Sequence, residues 1–210
     1  MNIRVSFLYL LAFGVVSIAA VAQTEQSLSS LLDDLVSPQN TTQAAAALLK
    51  IAETQPSVRS ELSNVLPNLS NVLPNLILTS TDIEVVVSEA TLAGKLQLVS
   101  AVPALVQLLD RPNIRGGEMA NKAYPSTITS RFELRDDPIA RALADMGAPA
   151  VQALSTPLES IKVATRTRAA RILIRINTPE SLSLLQQHVG READSRLKKY
   201  IAANLARTKQ

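Results

Sequence analysis

The chain is 210 residues long, 47% apolar and 3% aromatic, with no cysteine, no tryptophan and a single histidine. The missing cysteines exclude disulfides, cysteine-borne lipid anchors, thiol nucleophiles and thiolate metal sites, and one histidine is too few for a zinc centre. A net charge of +3 defines no class of partner by itself, and an apolar fraction dominated by Leu, Ala, Val and Ile favours helices packed by aliphatic side chains.

Met1 to Arg4 are positively charged, Val5 to Ala22 form an almost unbroken apolar run, and the run closes on Ala20-Val21-Ala22. A basic start, an apolar core and an A-x-A site predict a secretory signal peptide over 1–22, with the mature chain starting at Gln23. The competing expectation is an uncleaved anchor, because about 18 apolar residues just span a bilayer. Export without disulfides fits a periplasmic or secreted address, the periplasm better than an animal extracellular fluid.

Helical periodicity follows almost everywhere. Leu28, Leu31, Leu32, Leu35 and Val36 line one face of an N-terminal capping helix within 23–39. Ala45, Leu48, Leu49 and Ala52 repeat the pattern up to Gln55-Pro56, and another stripe begins with Val58, Leu62 and Val65. The phrase SNVLPNL is then written twice, from Ser63 to Leu76, with leucines at 62, 66, 69, 73 and 76 in coiled-coil spacing. Pro67 and Pro74 argue against a zipper, since proline in a helix interior removes a donor and costs about 3 kcal/mol. The expectation is two short apolar turns that lengthen a connection between repeats.

A longer period then emerges. Leu92–Asp110 (LAGKLQLVSAVPALVQLLD), Ala142–Ser155 (ALADMGAPAVQALS) and Ala170–Gln186 (ARILIRINTPESLSLLQ) each read as a helix, a tight turn and a second helix opened by proline. Pro103, Pro149 and Pro179 suit a first helical turn, where a missing donor does no harm. These segments resemble the HEAT repeat, particularly the short bacterial form of phycobilisome lyase families, A-L-G-x-L-G-x-x-x-A-V-P-A-L-x-x-L-L, over roughly residues 40–207. The resemblance implies an all-α fold: an α-solenoid of about four HEAT-like helical hairpins, occupying 40–210 behind the capping helix. It implies no catalytic residue, because the signature positions are packing and turn residues. Successive prolines from Pro56 lie 47, 46 and 30 residues apart, so the first two intervals carry extra chain, the second as an inserted loop at 111–137.

No catalytic, cofactor or metal constellation is expected. His188 reads as a solvated or capping residue, and Asp136-Asp137-Pro138 as a helix start with an acidic cap. Charge is unevenly spread: 9 basic and 15 acidic residues over 23–161 give −6, and 11 basic and 3 acidic over 162–210 give +8. On a helix from about Val163 to Ile176, Arg168, Arg171 and Arg175 share a face, and Lys198, Lys199 and Arg207 extend the positive end. Tyr124 and Phe132, in the inserted loop, are further candidate anchors. The expected function is an exported, non-catalytic binding scaffold. Its expected partner is a protein, with an acidic one best matched. Anionic lipid or polysaccharide is an alternative partner, and export disfavours nucleic acid. An enzyme or enzyme subunit like the bilin lyases is the competing class.

Overall fold

The computed structural model describes residues 30–37, 40–54, 59–111 and 137–208. The signal segment 1–22 and the inserted residues Tyr124 and Phe132 lie outside them. Among the described residues every regular element is helical, and no helix is long and apolar enough to cross a membrane. Contacts divide the chain into two units, 1–67 and 68–210.

In the first unit, α1 covers residues 30–36 and α2 is Thr41–Thr54. Leu35 of α1 and Ala44, Ala45 and Leu48 of α2 are fully buried, the stripe that a 3.6-residue period requires. The Asn40 amide donates to Asp34 across 2.9 Å and helps fix the α1–α2 turn.

Helix α3, Arg59–Thr79, begins in the first unit and ends in the second. It runs unbroken through both copies of SNVLPNL, so the expected pair of short turns is corrected to a single helix. Seven residues are almost two helical turns, so Pro67 and Pro74 fall on one side, away from Leu69, where a carbonyl that has lost its partner is met by water. Pro67 is exposed and Pro74 half-buried, whereas Leu69, Leu73 and Ile77 are completely buried. Burying each such side chain contributes about 1.5–3 kcal/mol, enough together to offset the proline penalty.

The second unit continues with α4 (Ile83–Lys95), α5 (Val102–Leu108), α6 (Pro138–Met146), α8 (Val163–Ile176), α9 (Pro179–Val189) and α10 (Ser195–Arg207). Between α6 and α8 lies an irregular helical run, α7: Ala148–Val151, a 3-10 turn Gln152–Leu154, then Ser155–Leu158. Pro157 cannot donate to residue 153, which favours a break in α7 there. The starts follow the sequence rules: Pro103, Pro138, Pro149 and Pro179 sit in first turns, and Asp82, Asp137, Thr178 and Asp194 cap with their side chains. Asn177 ends α8 in the left-handed region (φ 54°), which asparagine tolerates, and Gly147 (φ 68°) turns the chain from α6 into α7.

Contacts run in two series. Helix α4 packs on α6, α6 on α8 and α8 on α10, while α5 packs on α7 and α7 on α9. Within hairpins α6 meets α7 and α8 meets α9, and between successive hairpins α5 meets α6. The α4–α6 contact is the most extensive and the closest: a Cβ on Gly94 would lie 2.7 Å from the Ala142 Cα, so only glycine lets these backbones approach.

Candidate functional site

Helix α8 exists because Thr165, Thr167, Ala169, Ala170, Ile172 and Leu173 bury a wide stripe of small and branched side chains. Its arginines project from what is left, and the structure divides them. Arg168 turns inward. Its Nε and Nη2 grip the Asp137 carboxylate at 2.6 and 2.8 Å, and Nη1 donates to the carbonyls of Leu108, Leu109 and Arg111 at 3.3, 2.7 and 3.0 Å. Asp137 also accepts from the Ala140 amide at the start of α6. One guanidinium therefore closes the free carbonyl end of α5 and the free amide end of α6, the two ends that flank residues 112–136 in the sequence. With 12% of its side chain exposed, Arg168 is committed to this internal tie.

Arg166, one face round on the same helix, makes a second tie of the same kind. It holds Glu192 with two bonds of 2.9 and 2.8 Å, and its Nη1 donates to the carbonyls of Ser160 and Ile161 that follow α7. Glu192 in turn accepts from the Asp194 amide, the N-cap of α10, and lies 2.9 Å from His188 Nε2. Burial works to raise the Glu192 pKa, but the Arg166 and Asp194 hydrogen bonds, the His188 ring and the Arg166 charge outweigh it and hold the group at about 2. His188 is buried at 3% exposure, with Nδ1 3.4 Å from Glu159, so the expectation of a solvated residue is corrected: Leu185 and His188 lie one turn apart on the same buried side of α9. Lys162 and Thr165 hold Asp110 at 3.0 and 2.8 Å, bonds that lower its pKa, and Arg191 meets Glu159 at 3.0 Å. Much of the positive charge read as one surface is thus spent between neighbouring helices.

What remains outward lies along the α8–α10 contact. Burial raises the Tyr200 pKa, opposed by the charge and hydrogen bond of Arg171 and the charge of Arg207. Arg175 stands one turn after Arg171 and is exposed, as are Lys198, Lys199 and Arg207. On α10 the buried stripe is Leu197, Ile201 and Leu205. Helical phase puts Arg196, Lys199 and Arg207 on the flank of Tyr200, and Lys198 roughly 160° round the helix from it. Of the expected residues, Arg171 and Arg175 share one face of α8 and Lys199 is exposed on α10, whereas Arg168 turns inward and Lys198 lies across α10 from Tyr200. Tyr200 was absent from the expected set, although its seven-residue spacing from Arg207 already signals a shared face.

A groove of about 860 Å³ opens elsewhere, lined by Val106, Gln107, Asp110, Pro157, Glu159 and Thr165 among others, and includes none of the expected residues. Among the described residues no cluster of histidines or carboxylates could hold a metal ion.

No family model matches the chain, and no curated relative does. Among solved structures it is similar to the crystal structure of an engineered protein, at 20% identity and a TM-score of 0.42 over 87% of this chain and 96% of that one.

Proposed function

We propose that this protein is a non-catalytic binding scaffold built of HEAT-like helical hairpins in a short solenoid, exported to the cell envelope, where the α8–α10 flank engages an acidic protein. The solenoid reading is supported by the two contact series, one of first helices and one of second helices, since in such arrays each repeat buries its apolar face only against its neighbours. The observation that carries the binding reading is the hydrogen bond between Arg171 of α8 and Tyr200 of α10, with Arg175 and Arg207 exposed on the same two helices. Two arginines and an aromatic ring, with Arg175 and Lys199 exposed on the same two helices, are the side chains that anchor interfaces with anionic partners.

The test is a triple charge reversal, Arg175→Glu, Lys199→Glu and Arg207→Glu, compared with the parent chain for retention of envelope proteins at rising salt. All three residues are exposed, so the melting temperature should stay within a few degrees while retention falls more than tenfold, about 1.4 kcal/mol. Equal retention by parent and variant rules out this flank. Retention of anionic vesicles but of no protein would replace the acidic protein with lipid.

A further inference from the structure

Glu89 lies in the middle of α4, among Val85, Val86, Ala90, Leu92 and Ala93, and its exposure is 0%. Neither carboxylate oxygen finds a hydrogen-bond partner. Every other buried carboxylate described above is answered: Asp137 by Arg168 and a helix amide, Glu192 by Arg166, His188 and a helix amide. Among the described residues the groups that could answer Glu89 are engaged elsewhere or missing. On α6, Arg141 and Asp145 pair with each other at 3.8 Å on the exposed side, and Asp137 is held by Arg168. Helix α5 and the stretch of α3 from residue 67 onward contain no titratable side chain, and the chain's one histidine is on α9.

An ionised carboxylate without a partner in such a place carries a desolvation penalty of several kcal/mol, which the protein escapes by keeping the acid neutral or by letting water in. We propose that Glu89 is a pH-sensitive latch: α4 keeps its packing in the second unit while this carboxyl is neutral, and loosens when it ionises. Burial alone pushes its pKa up to about 8, against about 4.5 for the free side chain, so the transition falls in mildly alkaline conditions. The direction of the effect follows from proton counting. Between about 4.5 and about 8 the folded chain keeps a proton that the unfolded chain has lost, so stability is full at the lower bound, declines through this window and levels off above it. Glu192 acts in the opposite sense and elsewhere: held at about 2, it withdraws stability only as pH falls below about 4.5. The two groups do not overlap.

The test uses the full chain, with Glu89→Gln and Glu89→Leu as variants. Urea unfolding from pH 5 to 9 should show the parent's folding constant dropping, relative to either variant, about tenfold per pH unit up to about pH 8, the signature of one proton. Hydrogen exchange, corrected for its intrinsic pH dependence, should rise at pH 9 in residues 83–95 of the parent before it rises elsewhere. Infrared spectra supply a reading that needs no variant: the parent at pH 6.5 should show the carbonyl band of a protonated carboxylic acid, lost by pH 9.5. Parallel unfolding profiles, the absence of that band, or faster exchange spread evenly over the second unit would each overturn the latch.

Discussion

At the scale of single residues, Arg168 and Arg175 show how one sequence pattern divides into two roles. They lie seven positions apart on the same face of α8, yet Arg168 is drawn onto Asp137 and three backbone carbonyls while Arg175 is exposed. The difference lies outside the helix, in an acidic N-cap placed within reach by a different hairpin. Arg168→Met should therefore destabilise by about 3 kcal/mol, because it leaves the Asp137 charge and the carbonyls after α5 unanswered. Adding Asp137→Asn keeps the cap and removes the stranded charge, so the double variant should recover part of the loss. Chemical unfolding of the two variants measures both effects. A single variant as stable as the parent would mean the tie is incidental.

Elements were legible where their signals are local. The bounds of α8, the first-turn prolines and the Asp137 cap follow from periodicity, fixed proline torsions and an acceptor before the first free amides. Helix α3 was not legible, because its deciding term is tertiary: proline penalties can be read in a sequence, whereas the complete burial of Leu69, Leu73 and Ile77 cannot. The same holds for the site, where Arg171 and Arg175 could be read from helical phase but the Arg166–Glu192 tie depends on the packing of separate helices. Since α3 persists despite its prolines, Pro74→Ala should stabilise the chain by about 1–3 kcal/mol by restoring a donor within a helix already formed. A fall in melting temperature on this substitution would show that α3 needs a bend at that position.

For the second unit as a whole, charge is used twice. Arg166 and Arg168 point from one helix to the next and preceding helical pairs, which makes α8 the hub of this unit, while Arg171, Arg175, Lys199 and Arg207 give the α8–α10 flank a positive field. The bipolar sequence, −6 followed by +8, therefore overstates the exposed contrast, since Lys162, Arg166, Arg168 and Arg191 are all paired with acids. The most direct measurement of where a partner sits is photo-crosslinking in the native host, with a crosslinking amino acid in place of Arg175, Lys199 or, as a remote control in the groove, Gln107. The account predicts the same protein adduct from the first two positions, weakened as salt rises, and none from the third. Adducts from the Gln107 position with none from Arg175 or Lys199 would contradict it and move the binding surface to the groove between α5 and α7.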